Sequence, residues 1–222
     1  MKKKSLHVTL VSGLIFVAIF LRIHNLDVLP LGMHIDEAGL GLNAWSIANY
    51  GTDRYGNFMP ICPSNFYGEQ SAFYTYFCAL LVKFFGLTPY TLRLPGAIMG
   101  ILTVIFGSLL MKEKWGNKGL YTGLVLLGIC PYFIMNSRFA LDCNAMLGML
   151  TIALYALVRL IKLSEKNPTK KYYVLFSLVG VLFGMVLYTY IIAAIVIAIF
   201  FILFGLYYLF FKKKIAEKDF YN

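Results

Sequence analysis

Apolar positions along this chain fall into long unbroken runs divided by short charged stretches, the pattern of helices solvated by lipid. Leu6–Ile23, Leu94–Met111, Gly119–Met135 and Ala145–Ile161 each reach the roughly 17–25 apolar residues that cross the hydrocarbon. Tyr172–Phe211 would span about 60 Å at ~1.5 Å per residue, twice a bilayer. The polar step at Tyr188-Thr189-Tyr190 is the natural place to divide it, which makes six spans. Gln70–Phe85 is shorter, carries Lys83 and several hydroxyls, and reads either as a seventh span or as a helix lying in the interface.

Between the first two spans, the stretch 24–93 is too long for a simple connector. Pro30 and Gly32 break the chain after the first span. From Asp36, "DEAGLGLNAWSIANYG" spaces Leu40, Ala44, Trp45 and Ile47 as an amphipathic helix closed by Gly51. Gly56, Pro60, Pro63 and Gly68 then force irregular backbone before Gln70–Phe85.

Composition agrees with the pattern. The chain is 60% hydrophobic and 14% charged, with a mean hydropathy of +0.74, more apolar surface than a soluble domain of this length can hide. The net charge of +10 sits at the ends of the apolar runs, which marks membrane orientation and not a nucleic-acid partner. Charge also chooses between the two topologies. If Gln70–Phe85 does not cross, the N-terminus, Lys112–Lys118, Arg159–Lys171 and Lys212–Asn222 share one side and hold 15 of the 20 Lys and Arg. If it crosses, those clusters scatter. The positive-inside rule therefore predicts an all-α integral membrane protein of about six transmembrane helices, forming a single membrane domain over residues 1–222. Both termini would be cytoplasmic, and an external first loop, 24–93, would contain the juxtamembrane amphipathic helices. Lys2–Lys4 before an apolar core mimic a signal peptide, but no small-residue cleavage site follows, so the segment reads as an uncleaved anchor. Cys62, Cys78, Cys130 and Cys143 have neither zinc spacing nor a disulfide framework.

Two constellations carry candidate chemistry. Asp36-Glu37 reads in one way as a helix cap with a dipole-complementing neighbour. In the other it is a carboxylate at the membrane surface acting as general base on an incoming hydroxyl. Arg138 and Asp142, in "PYFIMNSRFALDCNA", are four apart. They read as a structural ion pair on one helical face, or as a guanidinium placed to clasp a phosphate. In the six-span topology both constellations face one compartment. Arg93 reads as an interface anchor of the second span. His34 is a possible helper of the acids or a bystander, and Glu69 a ligand-facing or merely solvated acid. No Walker loop, dinucleotide fingerprint, Ser-His-Asp order or metal box is present.

"LPLGMHIDEAGLGLNAWSIANYGTDRYGNFMP" resembles the first external loop of the GT-C superfamily of polytopic glycosyltransferases. The nearest branch is the dolichyl- or polyprenyl-phosphate-sugar type, similar to protein O-mannosyltransferases and bacterial aminoarabinose transferases of lipid A. "FFGLTPYTLRLPGAIMGILTV" matches that family's "R-L-P" entry to the next span, and "PYFIMNSRFALD" its "S-R-x-x-x-x-D/E" element. The resemblance covers most of residues 1–190. It implies sugar transfer from a polyprenyl-phosphate donor to a protein, lipid or glycan acceptor at the outer face of a membrane, here a bacterial plasma membrane. By position, Asp36 would be the catalytic acid-base group with Glu37 its neighbour, Arg138 would meet the donor phosphate, and Asp142 would orient Arg138. His34 and Glu69 complete the substrate-binding candidates. No organic cofactor is implied. Some GT-C enzymes hold a divalent ion, whereas this branch is considered metal-independent, and Asp36 with Glu37 alone would make a poor ion site. Full-length members have ten or more spans, so six imply either the N-terminal module of a longer protein or a form completed by a second chain. The competing reading is a non-catalytic accessory or lipid-carrier-binding module of GT-C descent. A transporter fits less well, because the spans are almost free of ionisable groups.

Overall fold

The computed structural model describes residues 2–66, 68–166 and 171–212. The basic tail 213–222 and residues 167–170 lie outside the described residues. The chain divides into two compact units, Met1–Tyr190 and Ile191–Asn222.

The first unit is helical apart from one small hairpin. Helix α1 runs Lys2–Ile23, α2 Ile35–Tyr50, α3 Ala72–Phe85, α4 Pro89–Ile129, α5 Pro131–Arg138, α6 Asp142–Lys166 and α7 Lys171–Leu187. Between α2 and α3, β1 (Ser64–Asn65) pairs antiparallel with β2 (Gly68–Glu69), Ser64 opposite Glu69 and Asn65 opposite Gly68. In the second unit, α8 (Ala193–Tyr207) passes into a π-helical turn, Tyr208–Lys212.

Helix α4, with 41 residues, is two helices. Gly116 leaves helical backbone at φ 61, ψ −145, a left-handed conformation that a side chain would disfavour. The chain then folds back. A Cβ added at Gly123 would press on the Ser108 backbone, and one at Gly119 on Met111, contacts impossible along a straight rod. The two arms, 89–115 and 117–129, therefore stand as an antiparallel pair. Val104, Leu120 and Leu124 from both arms enclose Ala18 of α1. Gly148 of α6 likewise admits the Met99 backbone. Small residues let helices approach closely where lipid removes the hydrophobic drive between them. The division of the apolar run at Lys112–Lys118 agrees with the sequence pattern. The run assigned to Gly119–Met135 does not: the helix ends at Ile129, because Pro131 cannot continue it and restarts the chain as α5.

Among the described residues, four helical stretches are long and apolar enough to cross a membrane: Ser5–Ile23, Pro89–Ile129 (the folded-back pair taken together), Asp142–Glu165 and Ala193–Phe210. α7 and α3 fall short of that length. The break between α7 and α8 falls at residues 188–192, where the polar step at Tyr188–Tyr190 predicts it. α3, at 14 residues, reaches about 21 Å at ~1.5 Å per residue, less than the ~30 Å hydrocarbon. Its first turn is tied to the start of α6 and to the first turn of α4: Ser71 N donates to Asp142, and the Tyr74 hydroxyl to Leu92 O, beside Arg93, which bonds Leu26. The unit thus has one end built from residues 21–37, 65–93 and 128–144, and an opposite end at the Gly116 turn, where Glu113 pairs with Lys162 and Arg159.

Candidate active site

Helix α2 does not begin as the sequence suggests. The N-cap is His34, whose Nδ1 accepts the Asp36 N–H at 3.2 Å, while Glu37 Oε2 accepts the His34 N–H at 3.0 Å. This closes a capping box of the usual logic, with imidazole in place of a hydroxyl. Both local capping duties are taken by His34 and Glu37. The Asp36 carboxylate, half exposed, is left with Asn65 Nδ2 at 3.3 Å and the edge of His34 at 3.4 Å.

Glu37 is 1% exposed and fully committed. Oε1 accepts from Arg93 Nε at 3.1 Å and from Ala140 N at 2.6 Å, and Oε2 accepts from Arg93 Nη2 at 3.2 Å and from His34 N. A carboxylate offers about four lone-pair sites, and all are filled. Arg93, also 1% exposed, turns its remaining bonds to the carbonyls of Leu26, Pro30 and Gly32. Its five N–H groups have five acceptors. Arg93 is therefore the counter-ion of Glu37 inside the fold and not an anchor at its edge. Together they clamp α2, α4, the 24–34 connector and the α5–α6 junction.

Arg138 and Asp142 do not form the expected i, i+4 pair, because Phe139 is extended and ends α5 between them. Arg138 Nη1 donates to Leu21 O at 2.7 Å, and Nη2 to the carbonyls of His24, Asn25 and Leu29. It closes the C-terminal end of α1, a place where carbonyls and the helix dipole favour a cation. Asp142 accepts from Ser71 N at 3.0 Å and from Cys143 N at 2.8 Å, at the first turn of its own helix.

Asp36 and Asp142 are nevertheless neighbours. Gln70 Nε2 donates to the Asp36 carbonyl at 3.1 Å, and the next residue, Ser71, holds Asp142. Each carboxylate lies within electrostatic reach of the other. The turn-rich segment is fixed on α2 by Asn43, wholly buried, which bonds Ser64 O, Gln70 Oε1 and Arg54 N. Asp53, 1% exposed, gathers the N–H groups of Tyr55, Asn57 and Ser64 and the Asn57 amide. Burial would raise its carboxyl, but those hydrogen bonds outweigh it and hold Asp53 below the ordinary carboxylate range. Gly39 lets this segment close on the helix, since a Cβ there would collide with the Asn65 amide.

One cation of this end escapes sequence reasoning. Arg54 Nη2 donates to Asn65 Oδ1 at 3.0 Å, so the relay runs Arg54, Asn65, Asp36. Its guanidinium lies 3.9 Å from the centre of the Phe66 ring, and Nε and Nη1 have no hydrogen-bond partner. Among the described residues the Ser71 hydroxyl, beside Asp142, is likewise unpartnered. The only signal in the sequence was a lone Arg in "GTDRYGN". Glu69 is exposed on β2 and faces the Cys62 thiol, which partial desolvation and then the Glu69 charge push up. It stands apart from the Asp36 group. Among the described residues no three His, Cys, Asp or Glu side chains converge as metal ligands.

An apolar groove of about 580 Å³ opens beside this cluster, walled by Phe73, Tyr76, Phe77 and Leu80 of α3 and by Met185 and Tyr188. It begins within two residues of Ser71, where Phe73 N donates to Tyr188 O.

Lipid-length apolar helices with a polar, carboxylate-bearing cluster at one end define an integral membrane protein whose candidate site opens beside an apolar groove. The family model described as dolichyl-phosphate-mannose-protein mannosyltransferase matches residues 69–219, well over half the sequence, and the chain belongs to this family of GT-C glycosyltransferases. The family implies mannosyltransferase-like transfer, with a polyprenyl-phosphate sugar donor and an acceptor in general terms. No curated protein and no solved structure matches the chain. The matched region begins at Glu69: Arg93, Arg138 and Asp142 lie inside it, and His34, Asp36, Glu37 and Arg54 ahead of it.

Proposed function

We propose that this chain carries the catalytic carboxylate of a transferase that moves a sugar from a polyprenyl-phosphate donor to an acceptor hydroxyl at the outer membrane face. The single observation behind this reading is the state of Asp36. It is the one acid of the Asp36-Glu37 pair released from capping and ion pairing, and it stands half exposed beside Asp142. In the proposed step Asp36 takes the proton of the acceptor hydroxyl. The hydroxyl oxygen attacks the anomeric carbon, and the bond from that carbon to the phosphate oxygen breaks. The lipid phosphate leaves with the electron pair. Arg54, joined to Asp36 through Asn65, is the cation assigned to that charge: its Nε and Nη1 are buried without a partner, so the donor would have to uncover them from beneath the Phe66 ring. Arg138 has its donors on carbonyls. The groove along α3 suits the apolar chain of the donor.

The same reading supplies a topology. Six crossings are counted if α5 extends the short second arm of α4 as far as Arg138, the others being α1, the first arm of α4, α6, α7 and α8. Lys112, Lys114 and Lys118 at the Gly116 turn, with Arg159 and Lys162, would lie on the cytoplasmic side, and the Asp36 end outside.

The test is Asp36→Asn in membranes supplied with labelled polyprenyl-phosphate mannose. Removing a general base costs about 10²–10⁴-fold in rate, so transfer should fall by that factor while the unfolding midpoint stays put. Unchanged transfer overturns the role of Asp36. Absence of transfer by the unaltered protein favours the accessory reading.

A further inference from the structure

The end of the first unit away from Asp36 carries a second groove that the sugar-transfer reading does not use. It has a volume of about 470 Å³ and lies between the first arm of α4 and α6. Its walls are Leu110, Met111 and Val158, and Trp115, 56% exposed, stands at its mouth. The rim is cationic. Lys162 Nζ lies 2.9 Å from Glu113 Oε2, and Arg159 Nη1 lies 3.3 Å from Glu113 Oε1, so one carboxylate is shared by two cations. Lys114 lies 4.9 Å from the centre of the Trp115 ring and pairs with no carboxylate among the described residues. Lys112 and Lys118 belong to the same turn.

A pure orientation signal needs positive charge and nothing more. Here the charge stands over an apolar slot between two helices, at the depth where Trp and Lys flank the hydrocarbon. The combination matches a molecule that is apolar at one end and anionic at the other. A soluble anion would leave Leu110, Met111 and Val158 unused, and a zwitterionic lipid would leave the excess cations unmatched. We propose that this groove is a binding site for an anionic phospholipid of the leaflet on the Gly116 side. One acyl chain lies against Leu110, Met111 and Val158, and the phosphate is held by Lys114 with the free donors of Lys162 and Arg159. Basic pockets between membrane helices are known to hold such headgroups. Of the sugar-transfer reading, this proposal uses only which leaflet is the cytoplasmic one.

The experiment is the thermal unfolding of the whole purified chain in a neutral detergent with added phosphatidylglycerol, phosphatidylcholine or glycerol phosphate. Each variant is compared with itself without lipid, so a change in its own stability does not enter. Phosphatidylglycerol should raise the midpoint in a saturable way, and the other two should not. Lys114→Gln should weaken the apparent affinity about fivefold, the worth of one lysine near an anionic surface. Val158→Trp fills the slot and should abolish the shift, whereas Lys83→Gln, a lysine of α3 outside the groove, should leave it whole. Equal shifts with phosphatidylcholine or glycerol phosphate overturn the proposal. So does a full phosphatidylglycerol shift in Lys114→Gln or Val158→Trp, or an equal weakening by Lys83→Gln.

Discussion

Replacing Glu37 by Gln separates the architecture of this site from its chemistry. The substitution keeps the volume but removes the charge and turns one acceptor oxygen into a donor. Four N–H groups now converge on the Glu37 carboxylate, from Arg93 Nε and Nη2, His34 and Ala140. The new amide would face at least one of them donor to donor. Arg93, 1% exposed, would keep its charge with carbonyls alone around it. Removing one partner of a buried ion pair costs about 3–5 kcal/mol, which for a unit of this size lowers the unfolding midpoint by about 6–20 °C. Cys78, wholly buried, supplies the assay: in a Cys62→Ser/Cys130→Ser/Cys143→Ser background, which removes the exposed and the partly buried thiols, a thiol-reactive fluorophore reports unfolding as Cys78 becomes reachable. The double variant Glu37→Gln/Arg93→Gln should fall by less than the sum of the singles, since the two residues share one interaction. A Glu37→Gln midpoint within about 2 °C of the unaltered protein would refute this account. A normal midpoint with lost transfer would return Glu37 to the chemistry.

Three further outcomes follow from the same geometry. Gly39→Ala places a methyl group on the Asn65 amide, so Asp36 loses its hydrogen bond, and transfer should slow roughly two- to twelvefold with little loss of stability, because Ala favours the helix. Arg138→Ala frees four carbonyls at the end of α1 and should cost about 1–3 kcal/mol, read as a lower melting midpoint with the donor KM unchanged. The Asp53 carboxyl is held below its ordinary range, so its stabilisation of the 51–70 segment is complete above about pH 4 and drains away as pH falls through the folded value. Limited proteolysis of that segment should show the acid-dependent loss in the unaltered protein, whereas Asp53→Asn should be cleaved readily at neutral pH as well.

Much of the architecture is written locally and could be read from the chain. Apolar runs of bilayer length are helices because nothing else satisfies a backbone in lipid. Lys112–Lys118 and Tyr188–Tyr190 divide two of those runs, because charge and polar turns are costly in hydrocarbon. Helix α2 begins beside Asp36 and ends at Gly51, whose φ of 71 is the left-handed C-cap. Pro131 is a local signal as well, and it ends the third run at Ile129 because a proline cannot continue the helix.

The roles of the charged residues were decided elsewhere. "HIDEAGL" contains the capping box, but only the fold reveals that Glu37 also meets Arg93, 56 residues on, and Ala140, 103 residues on. Spacing suggested that Arg138 and Asp142 pair, and the extended Phe139 sends one to the end of α1 and the other to Ser71. Arg54 joins Asp36 through Asn65 because a turn-rich segment folds over Gly39. The sequence by itself determined which segments are helices and which end of the helices carries the candidate chemistry, since both follow from neighbours along the chain. Which acid of the Asp36-Glu37 pair holds the fold and which is left open to a substrate was decided by the tertiary structure, because the partners that fill a carboxylate's lone pairs come from distant elements.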